Sequence, residues 1–138
     1  MKLIIYTDGA SRGNPGHASY GFTISDRSDK LLYEEGRYIG TATNNVAEYT
    51  AVLQALKYIK KRYGEKQLEI ELYADSKLVV EQLSGRYKIK SVHLKPIVER
   101  IRMLSLELGG VIHSHVPRSK NTEADRLANV ALDQELTG

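Results

Sequence analysis

Apolar positions along this chain recur with two different periods, and the period changes at recognisable stop signals. Lys2–Thr7 is a short, nearly continuous apolar run, which predicts a buried strand. Gly9–Gly16 is punctuated by Gly13, Pro15 and Gly16 and predicts a loop. Ala18–Ser25 and Leu31–Ile39 predict two antiparallel strands joined by the polar turn Asp26-Arg27-Ser28-Asp29. From about Thr43 to Tyr63 the period lengthens. Val46, Tyr49, Leu53, Leu56 and Ile59 recur every three or four residues, the mark of a helix with one buried face, and Gly64 closes it. Gln67–Ala74 alternates and predicts a half-buried strand. A short helix through Leu78, Val79 and Leu83 stops at Gly85, and the basic connector Arg86–Ser91 follows. The next helix carries Leu94, Ile97, Val98, Ile101, Leu104 and Leu108 on one stripe, with Pro96 tolerated in its first turn. Gly109-Gly110 ends it. Val111–Val116 predicts a last strand, Thr122–Leu132 a last helix, and Asp133–Gly138 a fraying tail.

Three consecutive strands predict an antiparallel meander, and the two later helix-to-strand connections predict parallel pairings. The expected class is α/β, with one mixed five-stranded sheet: three antiparallel strands plus two parallel. At 138 residues, 1–138 is expected to form a single domain able to bury its own core. No internal repeat, linker or low-complexity segment interrupts it.

Chemistry narrows the picture at four carboxylates. Asp8 closes the first apolar run and Asp75 closes the alternating run before it, while Glu48 and Asp125 fall where two helices begin. If these ends converge, the negative charges repel one another unless divalent cations neutralise them, which points to metal-dependent phosphoryl chemistry. Each carboxylate also has a plain structural reading. Asp8-Gly9 and Asn14-Pro15-Gly16 are turn formers. Asn45 and Glu48 have the spacing of a capping box. Asp75 could cap the following helix, and Glu123 and Asp125 could oppose the dipole of theirs. The two asparagines Asn44 and Asn45 exceed what a cap requires and offer donors and acceptors to sugar hydroxyls or phosphates.

Composition excludes several alternatives. The chain has no cysteine, so disulfides, thiolate metal sites and cysteine nucleophiles are out. No apolar stretch approaches the roughly 20 residues of a membrane span, and the N-terminus carries no secretion signal, so a cytoplasmic protein is the expectation. Net charge is +3 and the pI about 9.0, which suits a polyanionic partner. The cations are grouped as Lys57, Lys60, Lys61, Arg62 and Lys66, then Arg86, Lys88, Lys90 and Lys95, then Arg118 and Lys120. They are either solvated helix faces or phosphate contacts flanking a catalytic groove. With no tryptophan and one phenylalanine against nine tyrosines, stacking on single-stranded bases is not strongly signalled.

Four segments, in order, resemble the type 1 ribonuclease H family within the retroviral-integrase-like superfamily. They are the Thr-Asp-Gly-Ala-Ser loop running to Gly-Asn-Pro-Gly, the Thr-Asn-Asn-x-x-Glu helix start, the Asp-Ser strand end and the Asn-x-Glu-x-Asp-x-Leu-Ala helix. The resemblance implies the RNase H-like fold with helices on both faces of the sheet. It implies an endonuclease that hydrolyses the RNA strand of RNA/DNA hybrids and leaves 5′-phosphate and 3′-hydroxyl ends. Two Mg²⁺ ions about 3.5–4 Å apart would act there, with Mn²⁺ an alternative. Their ligands would be Asp8, Glu48, Asp75 and Asp125, with Asp8 shared. Substrate contacts fall on Asn14, Thr43, Asn44 and Asn45, with Ser11 a weaker candidate. The protein is expected to act as a monomer.

The chain departs from the family in two places. The loop histidine that many members carry before the last helix is absent; Arg118 is the expected stand-in and His115 the second choice. A guanidinium stays charged, so it steers phosphate but makes a poor base. The cation-rich extra helix and loop of many members is also missing, since Gly85–Lys95 is short. Rival readings are a nuclease that also cuts double-stranded RNA and a catalytically silent nucleic-acid-binding domain.

Overall fold

The computed structural model describes residues 1–137 and contains one five-stranded sheet in the order β3-β2-β1-β4-β5. The strands are β1 (Lys2–Gly13), β2 (Gly16–Ser25), β3 (Leu31–Ala42), β4 (Glu69–Ala74) and β5 (Ile112–His115). The first three pair antiparallel, and β4 and β5 join parallel, as the pattern predicts. The helices are α1 (Asn44–Tyr63), α2 (Lys77–Leu83), α3 (Lys95–Glu107) and α4 (Thr122–Thr137), with a short 3₁₀ turn at Arg118–Lys120.

Alternation along the strands decides which helix goes where. Leu3 and Ile5 of β1 share a face with Phe22 and Ile24 of β2 and with Ile70 and Leu72 of β4. These side chains form one core with Tyr49, Val52, Leu56 and Ile59 of α1 and Val98, Ile101 and Leu104 of α3. The opposite face is covered by α4, and it is shaped for close approach. A β-carbon on Gly21 would overlap the backbone at Ala124 and Ala128, and one on Gly36 would overlap Leu127. Gly21 and Gly36 are paired neighbours in the sheet, and Ser19 donates a hydrogen bond to the Ala128 carbonyl. The small residues Ala124 and Ala128 complete the fit from the helix side.

Several expected boundaries move. The segment Gly9–Gly16 is not a loop: β1 runs on to Gly13, and only Asn14-Pro15, joined by a cis peptide bond, makes the turn into β2. Asp8 therefore lies inside a strand, opposite Gly21, and not at its end. What ends beside Asp8 is the pairing of β1 with β4, whose last register pair is Thr7 with Ala74. The alternative reading of Asn45 and Glu48 as a capping box is not realised. Thr43 caps α1, its hydroxyl accepting from the Val46 N–H, which places Glu48 beyond the first turn. β3 continues to Ala42, whereas β4 and β5 are shorter than predicted. The tail does not fray at Asp133: α4 continues to Thr137, and Asp133 pairs with Arg12 at 2.6 Å; Gly138 lies outside the described residues.

Gly21→Ala should therefore lower stability by about 2 kcal/mol or more, because α4 must lift from the sheet to admit one methyl group. Urea denaturation measures this, and a variant as stable as the parent would show that the close docking is not required.

Candidate active site

The parting of β1 from β4 opens a crevice at the carboxyl ends of the parallel strands, the place where α/β sheets commonly bind ligands. Asp8 on β1 and Asp75 after β4 stand on its two sides. Two helices reach it because glycines let them. Gly9 admits the backbone of α1 at Ala47 and Glu48, and Gly21, opposite Asp8, admits α4 and with it Asp125. All four predicted carboxylates thus surround one crevice. Asp8 is buried, and Glu48, Asp75 and Asp125 are half-buried.

Hydrogen bonds hold the ring in place. Asp8 Oδ1 accepts from the Gly9 N–H at 3.0 Å. Asn129 Nδ2 donates to Asp125 Oδ1 at 3.2 Å. Asn121, whose role the sequence reading did not assign, is 1% exposed and spans the crevice. Its Nδ2 donates both to the Thr7 carbonyl at 2.9 Å and to Asp75 Oδ2 at 3.1 Å, so one amide ties β1 to the carboxylate that follows β4. Its Oδ1 is buried without a partner among the described residues. The sequence offered one signal, the asparagine at the head of the last motif, but its partners lie far away in the chain.

Electrostatics shows the cost of this arrangement. Burial pushes the Asp8 carboxyl up to about 8, aided by the charges of Asp75, Asp125 and Glu48 and by a side-chain contact with Asp125. Burial pushes Glu48 up to about 7, with Asp75 adding to the shift and the Ser76 hydroxyl and Arg118 opposing it. Among the described residues no three of these side chains are drawn together as a ready-made ion-binding group. The donor set is all carboxylate oxygen and carries uncompensated negative charge, so it fits a hard divalent cation that would supply the missing counter-charge.

The other predicted residues divide. Asn14, Thr43, Asn44 and Asn45 line a common cleft of about 520 Å³, together with Ser91 and His93 from the connector before α3. Asn14 Oδ1 accepts from the Asn44 N–H at 3.1 Å, which joins the hairpin tip to the start of α1. Ser11 is used structurally, its hydroxyl held by the carbonyls of Gly13 and Ala42. Arg118 acts on Glu48 from the 3₁₀ turn, and the His115 ring lies 3.2 Å from the Asp75 carbonyl, so both alternatives stand at the crevice rim. His113 lies two residues earlier in β5, opposite Leu72: it is half-buried, its Nδ1 has no partner among the described residues, and burial pulls it down to about 4. Lys57, Lys61 and Arg62 do not flank the crevice. They line a separate groove toward the other end of α1.

Comparison with known proteins follows this geometry. Residues 6–131 match the family described as Reverse transcriptase-like. The chain belongs to that RNase H-like family, and within it to the type 1 ribonuclease H family. It is 44% identical over 135 residues to the Bifunctional protein Rv2228c of Mycobacterium tuberculosis, covering 96% of this chain and 36% of that protein. It is 42% identical to the Ribonuclease HI of Halobacterium salinarum, covering 96% of this chain and 65% of that one. The chain thus spans about a third to two thirds of the length of these relatives. Among solved structures, LC11-RNase H1 in complex with RNA/DNA hybrid aligns with a TM-score of 0.94 and 41% identity, over 97% of this chain and 99% of that chain.

Two outcomes are expected from the site's own energetics. Asp8 and Glu48 have folded values above their ordinary 3.8 and 4.5, so the folded protein holds extra protons at intermediate pH. Their contribution to stability is complete below about pH 4 and is lost as pH rises through 7 and 8. In metal-free buffer, stability should therefore fall between those limits in the parent and much less in Asp8→Asn; parallel profiles would mean that Asp8 is not strained. Asn121→Ala should cost about 1–3 kcal/mol in a denaturant titration, because it leaves the Thr7 carbonyl buried and unpaired. A neutral effect would remove Asn121 from the frame of the site.

Proposed function

We propose that this chain is a metal-dependent endonuclease that hydrolyses the RNA strand of RNA/DNA hybrids and leaves 5′-phosphate and 3′-hydroxyl ends. The observation that carries the proposal is the ring of Asp8, Glu48, Asp75 and Asp125 around one crevice, with a second cleft of amides and a hydroxyl at Asn14, Thr43, Asn44 and Asn45. The similarity to LC11-RNase H1, whose structure holds an RNA/DNA hybrid, supports the same substrate here. Two Mg²⁺ ions, or Mn²⁺ in their place, would supply an activated water and charge stabilisation of the leaving oxygen.

The chain's own residues then divide the work. Asp8, the most buried and the one that feels all three others, would hold the metal together with Glu48, Asp75 and Asp125. Asn121 positions Asp75. Arg118 steers the phosphate of the strand being cut, and its permanent charge makes it an anchor, not a base. Thr43 accepts from Val46, which leaves its O–H to donate, and Asn14 accepts from Asn44, which leaves its NH₂ to donate. Both suit a phosphate on the uncut DNA strand. Asn44 and Asn45 face the 2′-hydroxyls, the groups that distinguish RNA from DNA. Discrimination then depends on sugar chemistry and helix shape, with little dependence on base sequence.

A cleavage assay on matched hybrid, RNA duplex and DNA duplex tests this directly. Hybrid should be cut in its RNA strand only, and DNA duplex not at all; comparable cutting of DNA duplex would move the protein to another branch of the superfamily. Asp75→Asn should reduce hybrid cleavage at least about tenfold, a barrier change of ~1.4 kcal/mol or more. Retention of most activity would remove Asp75 from the metal-binding set, since Ser76, not Asp75, caps α2. Arg118→Ala should lower kcat more than it raises KM, and a pure KM effect would mark a remote contact.

A further inference from the structure

The basic residues of α1 remain unexplained by the crevice, and their surroundings are specific. Lys57, Tyr58, Lys61 and Arg62 form one stripe of the helix, spaced to share a face. Across from them Tyr33 and Arg37 on β3 close a groove of about 510 Å³. Tyr33 and Tyr58 stack with ring centroids 3.8 Å apart. Four cations thus converge on one concavity beside two aromatic rings.

The single carboxylate in the groove, Glu35, does not balance them. Its oxygens accept from the hydroxyls of Tyr20 and Tyr33, and Arg37 Nε lies 3.6 Å away. Among the described residues Lys57, Lys61 and Arg62 have no ion pair, whereas the neighbouring Lys60, turned away from the groove, pairs with Glu107 at 3.7 Å. Lys61 and Arg62 lie in the last turn of α1, where the helix dipole favours cations, but Lys57 lies outside that turn, and like charges four residues apart oppose each other by a few tenths of a kcal/mol. An anionic occupant would relieve that opposition.

We propose that this groove is a second nucleic-acid site, which holds a single strand flanking the hybrid through its phosphodiester backbone and a base set against the tyrosines. Cations that follow a backbone beside aromatic surfaces are the usual equipment for single-stranded nucleic acid. The location fits such a flanking strand. Lys57 lies nine positions beyond Glu48 on α1 and Arg62 fourteen, about 13–21 Å along the axis, a span of a few nucleotides. A strand held there is tethered to the duplex in the crevice, so weak contacts would gain from high effective concentration. This part of the inference rests on the hybrid-cleaving function proposed above; binding of a single strand to the groove does not.

The test uses the whole chain and the triple variant Lys57→Ala/Lys61→Ala/Arg62→Ala, with folding checked by circular dichroism. Fluorescence anisotropy with a labelled thymidine oligonucleotide of about 15 nucleotides, in chelator, reads the groove alone. Hybrid cleavage with Mg²⁺ is then compared on a blunt duplex and on one carrying a thymidine extension at either end. The triple variant should bind the oligonucleotide about tenfold more weakly and with a shallower salt dependence. It should keep the kcat and KM of the parent on blunt hybrid while losing the lower KM that an extension gives the parent. Unchanged oligonucleotide binding would overturn the proposal, as would a parallel rise in KM on blunt hybrid, which would show a general field and not a separate site. Displacement of the oligonucleotide by polyglutamate at equal charge concentration would overturn the assignment to nucleic acid. If the parent binds the oligonucleotide through the groove yet cuts no hybrid, the groove stands and the proposed function falls.

Discussion

Like charges gathered in a half-buried crevice are the constraint around which this molecule is arranged. Burial and three neighbours push Asp8 up to about 8, and burial with Asp75 pushes Glu48 up to about 7 against the Ser76 hydroxyl and Arg118. A fold that only needed stability would not collect carboxylates there, since each weakens the case for the next. The rest of the structure holds them against that repulsion. β1 and β4 part at Thr7 and Ala74 to make the opening, Asn121 bridges it, and Asn129 fixes Asp125. Function in this protein is a charge problem solved by backbone geometry.

That geometry depends on close approach of helices to the sheet from both faces. Gly9 lets α1 bring Glu48 to the crevice, and Gly21 lets α4 bring Asp125. The two glycines flank Asp8 in the structure, one next to it in β1 and one opposite it in β2. Stability and activity are therefore coupled at these positions. A methyl group added at either would displace a helix and its carboxylate together, with no change to any acidic residue.

The sequence made much of this legible, and the failures have physical reasons. Strand directions and the four carboxylates could be read because alternation and helical spacing persist wherever a core face is buried. The Gly9–Gly16 segment reads as a loop because its glycines and proline are turn formers. Arg12 and Gly13 are exposed, so no apolar alternation marks a strand that hydrogen bonds nevertheless continue. The capping box at Asn45 and Glu48 was a competition between two nearby caps, and Thr43 wins it with its hydroxyl. Asn121 was visible as a motif residue but not as a clamp, because its partners Thr7 and Asp75 are 114 and 46 positions away. The basic residues showed their charge and helical stripe, but not the groove. That concavity exists only where β3 packs beside α1.

Proton release on metal binding tests the central idea most directly. Calorimetric titration of Mg²⁺ into metal-free protein at neutral pH, repeated in buffers of different ionisation enthalpy, counts protons displaced per ion bound. If Asp8 and Glu48 are held partly protonated by burial and by their neighbours, binding must release about one proton, and the number must fall as pH rises above 8. Tight Mg²⁺ binding with no proton release at neutral pH would contradict it, for the carboxylates would then be ionised already and the crevice would not be under electrostatic strain.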